Sequence, residues 1–440
     1  MINFLVAFIT FLFLSNSYAG YSGRFISGAF ISKEVFRDSQ VDRYNDVAIL
    51  SERLYLNFDD LIWNKAGFTL DVRDKENFFD KMDRERQTLT EKNKLQLHQF
   101  SFHKPAESNE VDFSVGRFPL PQAGAIYLDG LDFGLRKNLL GLSAKFSLFY
   151  GLNPQLAQDT GINRDVTAYG GHFTLENKGK SWERYFFSIN ALVRQVYKTE
   201  VDRFYYYNNT NLQSDDGQNF SSILYLDFLP HVYVQNFWST YATNFSNRYK
   251  LRASFSTIDS LHYVRVQDIR ETLPSSRYHQ SSLSIRSPSD YGQTSYETKL
   301  SVGLREVDKK NMAELKFGAL IPRIIKDEIS GTANLGVKKN FISNDLLLGL
   351  GLLHSNNFRE LSINQDVQFE QRASQKPNIA YISEGSYTKF FNRSLFGIIS
   401  IQNIRDNYVS IFSIMLKISY RFGQGGQAPI REGSPPMGQL

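Results

Sequence analysis

Asn247-Arg248-Tyr249-Lys250-Leu251-Arg252-Ala253-Ser254-Phe255-Ser256-Thr257 alternates without a break. Tyr249, Leu251, Ala253 and Phe255 fall on one side of an extended chain, and Arg248, Lys250, Arg252, Ser254 and Ser256 on the other. Successive side chains of a strand point to opposite faces, so this stretch reads as a strand with one apolar and one polar face.

The same period of two recurs along the chain. Phe68, Leu70 and Val72 alternate with Thr69, Asp71 and Arg73, and Leu300, Val302 and Leu304 with Lys299, Ser301, Gly303 and Arg305. Turn signals separate such runs, among them Asn177-Lys178-Gly179-Lys180, Ser287-Pro288-Ser289-Asp290 and Phe391-Asn392-Arg393. Longer polar connections are expected over 75–91, 153–165, 208–219 and 355–377. Strand-like segments begin near residues 23, 47, 66, 93, 110, 131, 142, 167, 184, 221, 231, 248, 276, 293, 311, 331, 345, 379, 395 and 410. The segments at 221 and 231 can be read as one strand through Pro230, and 261–266 as a further one. Single-chain bacterial barrels carry even strand numbers, and the expectation is about 18, within 16 to 20.

The first 19 residues read as a secretory signal peptide. Leu5 to Leu14 is a short apolar run, and Ser17 and Ala19 supply small residues for cleavage before Gly20. No Lys or Arg precedes the run, and the rival reading is a short membrane anchor. That run is about half of the roughly 20 residues that a spanning helix needs. After Gly20 no stretch approaches that length, so the remainder is soluble or crosses a membrane as a closed barrel.

Composition favours the barrel. The chain has 440 residues, 36 Phe and 24 Tyr but 3 Trp, and no Cys. Its mean hydropathy of -0.35 is too polar for a helical membrane protein. A barrel wall with one face in lipid, one in water and aromatic girdles accounts for both numbers. Trp63, Trp182 and Trp238 are expected at the rims. The net charge is +5 without the clustered Lys and Arg of a nucleic-acid-binding chain. The expected fold is therefore all-β: a transmembrane up-and-down antiparallel β-barrel over 20–422. The Gly-, Gln- and Pro-rich 423–440 forms a flexible periplasmic tail.

Ser410 to Phe422, with Leu416, Ile418, Tyr420 and Phe422 on one face, resembles the closing strand of bacterial outer-membrane barrels. In that family the strand ends on an aromatic residue read by the barrel-insertion machinery; here 18 residues follow Phe422. Val115-Gly116-Arg117-Phe118-Pro119 resembles a strand-to-loop segment of porin-like proteins. The resemblance implies residence in outer-membrane lipid, passage of small hydrophilic solutes and often a trimer.

No catalytic set has a distinctive spacing. The seven His are scattered, with no HExxH, and no Gly-rich phosphate loop or Cys/His metal pattern is present. An outer-membrane lipase would need a lipid-facing Ser and His, and His172 is the candidate, against a rim or lumen histidine. Asp129-Gly130-Leu131-Asp132 reads as a calcium site or, more simply, a polar turn. Propagating the alternation places Arg194, Arg248, Lys250, Arg252, Arg286, Lys299, Arg305, Lys316, Lys338, Lys417 and Arg421 inside. Glu297 and Glu314 are the clear acids of the same strands. Basic side chains lining a confined channel raise the local anion concentration. The reading is a passive, anion-preferring channel without enzyme activity or cofactor. The alternative is a non-channel barrel that binds a partner at its surface loops or in its lumen.

Overall fold

The computed structural model describes residues 20–423 apart from 38–41, 60–65, 79–92, 106–109, 140, 155–165, 178–183, 199–201, 215, 230–231, 246–248, 259–276, 289–293, 326–327 and 373–375. Twenty-two strands make one sheet. They are β1 Tyr21–Arg37, β2 Asp42–Phe58, β3 Gly67–Asn77, β4 Asn93–Lys104, β5 Val111–Leu120, β6 Ile126–Leu139, β7 Leu142–Leu152 and β8 Val166–Glu176. Then come β9 Arg184–Tyr197, β10 Arg203–Ser214, β11 Asn219–Asp227, β12 Tyr233–Phe245, β13 Tyr249–Ile258, β14 Tyr278–Arg286 and β15 Ser295–Arg305. The last are β16 Asn311–Ile325, β17 Ile329–Lys339, β18 Ser343–Ser355, β19 Arg359–Arg372, β20 Asn378–Phe390, β21 Leu395–Arg405 and β22 Val409–Gly423.

Each strand pairs antiparallel with the next, and β22 pairs with β1, from Ser22↔Gly423 to Phe36↔Val409. The sheet therefore closes, and no edge strand is left to template aggregation. Both ends of the barrel chain lie at one rim. The ends of β3, β7 and β13 lie at the opposite rim.

The barrel has more strands than the expected 18. Two strands lie inside segments expected to be connections, β10 across 208–214 and β19 across 359–372. The segments at 131, 221 and 231 are separate strands, and 261–266, Trp63, Trp182, the 1–19 leader and the 424–440 tail lie outside the described residues.

Ladder partners share a face, so the two faces can be followed around the barrel. The outer face carries Leu131, Phe133, Phe146, Leu148, Leu300, Val302, Leu348, Leu350 and Ile418, all exposed. Removing so many contiguous apolar groups from water is the driving force for insertion into lipid. Leu416, Ile418, Tyr420 and Phe422 all point outward in β22. Phe422 packs with Leu54 and Leu56 beside the seam. A Cβ on its ladder partner Gly23 would lie 2.3 Å from the Phe422 ring, so only glycine leaves room for that ring across β1.

Candidate functional site: an inward hairpin and a basic wall

The β4–β5 ladder stops at Phe100↔Arg117, and the β6–β7 ladder stops at Asp129↔Leu152. Beyond those points β5 and β6 stay paired with each other down to Leu120↔Ile126. This tip has left the wall and folds into the lumen. Gly116, at φ 116°, makes the bend, and a Cβ there would lie 2.2 Å from the Phe100 carbonyl oxygen.

Chemistry on both sides holds the hairpin. Arg117 donates through Nε and Nη2 to the two Asp129 carboxylate oxygens, each at 2.6 Å. Its Nη1 donates to the Leu97 carbonyl at 2.9 Å, a β4 group past the end of the β4–β5 ladder. At the tip, Tyr205 donates to the Ala123 carbonyl at 2.9 Å and Tyr225 to the Gly124 carbonyl at 3.1 Å. Phe118, Leu120, Ala123 and Leu128 pack on Phe149, Ala168, Ile189, Ala191, Val193, Tyr205 and Tyr207 in one apolar cluster. Phe118, Leu120 and Leu128 contribute roughly 1.5–3 kcal/mol each when fully buried. The tyrosine hydrogen bonds contribute about 1 kcal/mol each, so apolar burial dominates.

That cluster lies on the lumen side. Phe149, Val193 and Tyr205 are buried, whereas their neighbours Leu148, Tyr150 and Leu192 are exposed on the outer face. From β7 to β11 the interior wall is thus apolar where the hairpin covers it. Arg194, expected inside, shares the outer face with Leu192 and Phe204 and pairs with Asp202 at 2.9 Å near the rim. The expectation failed because Val193 takes the interior position there. Trp238, expected at a rim, sits mid-strand on the lumen face opposite Ile223 and Ser256.

His172 is buried on the lumen face, with Nε2 3.1 Å from Asp132, whose carboxylate also lies 3.8 Å from the Lys145 ammonium. It is not the lipid-facing histidine that a lipase would need. Asp129-Gly130-Leu131-Asp132 is strand rather than turn, and its carboxylates pair with Arg117 and His172. Among the described residues no group of His, Asp and Glu is arranged to hold a metal.

The basic wall runs over β13 to β17. Arg252, Lys299 and Lys316 lie in one cross-strand row on the lumen face, and Lys250 pairs in register with Arg286. Lys316 is 3.0 Å from Glu314, and Lys338 sits between Glu314 and Asp345. Arg305, on the lumen side at the rim, donates through Nε to Asp308 at 2.9 Å and lies 4.7 Å over the Phe341 ring. Lys250, Arg252 and Lys299 have no carboxylate partner within ion-pair distance among the described residues. Arg248 lies outside the described residues.

No protein-family model matches the chain, and no curated protein was found similar to it in sequence. The siderophore receptor PirA from Pseudomonas aeruginosa superposes with a TM-score of 0.55 at 10% identity, over 92% of this chain and 80% of that one. OccAB4 from Acinetobacter baumannii gives 0.47 at 8% identity, over 92% and 99% of the two chains. OpdK from Pseudomonas aeruginosa, solved with vanillate, gives 0.43 at 9% identity, over 91% and 98%. The likeness to PirA is one of fold. In architecture the chain is a closed antiparallel β-barrel.

Proposed function

We propose that the protein is an outer-membrane channel for passive diffusion of small hydrophilic solutes, with a preference for anions. The observation that carries this reading is the trio Lys250, Arg252 and Lys299, on one face of the wall without a carboxylate partner among the described residues. A cation close to a low-dielectric wall raises the local concentration of anions and lowers the barrier to their passage. No bond is made or broken, so passage depends on lumen width, lining charge and the inward hairpin. The 1–19 leader would direct export, and the outward Leu416, Ile418, Tyr420 and Phe422 would present the closing strand to the barrel-insertion machinery.

Reversal potentials across a planar bilayer under a salt gradient test the preference. An anion-selective potential that weakens when Arg252 becomes Glu supports it. Cation selectivity of the unaltered protein overturns it.

One observation favours a second reading. With strands about 4.8 Å apart and tilted about 40°, a barrel of this strand number has a backbone radius of about 22 Å. The hairpin covers the wall of β7 to β11, and barrels of this size in outer-membrane transporters are plugged. The lumen would then receive a periplasmic protein instead of solutes alone. A large, steady single-channel conductance from the purified chain favours the channel; a silent bilayer favours the occupied lumen.

A further inference from the structure

At the rim that carries both chain ends, β19 begins and β20 ends on a pair of cations. Arg359 and Lys389 stand directly opposite each other in the ladder, and both are exposed. Arg359 shares its face with Leu361 and Ile363, whose partners His354 and Leu352 continue the outer row of Leu348 and Leu350. The pair therefore points outward, at the edge of the apolar belt. Glu360 points the other way, beside Ser355 and Thr388. Glu328, at the same rim, is held by His354 at 2.8 Å. Among the described residues neither cation has a carboxylate within ion-pair distance. Like charges directly opposite on a sheet repel, so this pair is stabilised by an anion that reaches both.

The surroundings are built rather than loose. The Phe390 amide donates to the Phe358 carbonyl at 2.8 Å and ties the β18–β19 turn to the end of β20. Asn356 Oδ1 accepts from the Arg359 amide at 3.0 Å. The Lys389 ammonium lies 5.3 Å over the Phe391 ring, and Phe358 and Phe391 are both exposed. Exposed aromatic rings at a barrel rim sit at the level of lipid headgroups. Deeper in the belt the wall is bare at one point. Beyond Tyr387, Gly385 takes the outward position on β20, between Ile363 and Ile401. A Cβ there would meet only the Ser362 carbonyl, at 4.0 Å. Ile363 and Ile401 are exposed on either side, so the position is a furrow one side chain wide. It lies four residues from Lys389, about 13 Å along the strand.

We infer that Arg359 and Lys389 hold the phosphate of an anionic glycerophospholipid, with one of its acyl chains in the furrow at Gly385. The inference rests on the membrane-barrel reading above but not on solute passage. Position and charge select the occupant. The pair faces lipid and not the lumen, so the anion that meets it is a headgroup. The guanidinium fork takes two phosphate oxygens, and the ammonium adds a point charge. Two cations without an acid favour a headgroup of net negative charge, because a zwitterionic one brings its own ammonium into a positive field. The furrow takes a chain that inorganic phosphate lacks.

Native mass spectrometry of the mature protein, from micelles titrated with phosphatidylglycerol or phosphatidylethanolamine, reads the lipid retained. Phosphatidylglycerol should be retained several-fold over phosphatidylethanolamine. The preference should collapse in the Arg359→Gln, Lys389→Gln double variant. It should survive in Lys104→Gln, Lys137→Gln, which removes the same charge from the outer face of β4 and β6 at the same rim. Gly385→Leu, which leaves both cations in place, should lower phosphatidylglycerol retention by filling the furrow. Equal retention of the two lipids by the unaltered protein, or equal loss in both double variants, overturns the inference. Inorganic phosphate that displaces the lipid at equal concentration overturns it in favour of a free anion, and unchanged retention in Gly385→Leu overturns the placement of the chain. Heat-modifiable migration in gels is read on the same samples. If it is present, a missing preference counts against the lipid contact alone; if it is absent, the barrel reading itself fails.

Discussion

Arg117 and Asp129 face each other across the neck of the inward hairpin, Nε to Oδ1 and Nη2 to Oδ2 both at 2.6 Å, with both side chains nearly buried. The same guanidinium reaches the Leu97 carbonyl at 2.9 Å. One side chain thus closes the hairpin's base and satisfies a β4 carbonyl that the departing β5 no longer covers. Arg117→Ala leaves Asp129 buried without its partner, a change that costs about 3–5 kcal/mol. Thermal unfolding in detergent should show that loss, and single-channel recordings should show a larger, noisier conductance as the tip loosens. Unchanged stability and conductance would mean that the apolar cluster alone holds the hairpin.

Gly116 is the bend itself. Any side chain must adopt φ 116° and meet the Phe100 carbonyl, so Gly116→Val strains the backbone by about 1–3 kcal/mol before the clash is counted. The expected outcome is a sharp drop in heat-modifiable barrel recovered from refolding, while Gly385→Val, where φ is ordinary for a strand and a Cβ meets only the Ser362 carbonyl at 4.0 Å, falls far less.

Charge reversal separates the two faces. If Lys250 and Arg252 line the proposed pore, Lys250→Glu with Arg252→Glu should move the reversal potential toward cations. Arg194→Glu, on the outer face beside Asp202, should leave it where it was. Equal shifts from both would sink the assignment of faces.

Asp308 gives a pH test. Hydrogen bonding to Arg305 holds its carboxyl down at about 2. A depressed pKa means that the pair is intact above the ordinary carboxylate range and is lost only as pH falls through about 2. Asp308→Asn frees the Arg305 charge, so the variant should be more anion-selective than the natural protein at neutral pH. That difference should persist at pH 4 and close only as the pH approaches 2. A difference that closes near pH 4 would show that the pair does not form.

Phe422 lies across Gly23 at the seam between the first and last strands. Phe422→Ala removes a buried ring, at about 3–5 kcal/mol by analogy with protein cores. Gly23→Leu fills the slot from the other side. Both variants should give less closed barrel, read by heat-modifiable migration, than Ile418→Ala on the exposed face of the same strand.

The alternation of side chains was enough to establish strands, a closed sheet and the closing strand, because a wall with one apolar and one polar face imposes a period of two. On the ladders Lys250, Arg252, Lys299 and Lys338 share the face opposite the apolar belt. The rule of alternation failed in β9 and β10. The hairpin folds back over the inner wall, so Val193, Tyr205 and Tyr207 are apolar and inside, while Asn190, Asn208 and Thr210 are polar and outside. With the polarity inverted, Arg194 was put on the wrong face, and the Asn-rich half of β10 read as a connection. β19 was missed because Gln365 interrupts its outer apolar row while Asn364 and Asp366 continue the inner one. The sequence by itself determined that the chain forms a barrel. Where the lumen is dry, and which charges face it, only the tertiary structure decided, because that depends on a contact between Ala123 and Tyr205, residues far apart in the chain and adjacent only after the sheet has closed.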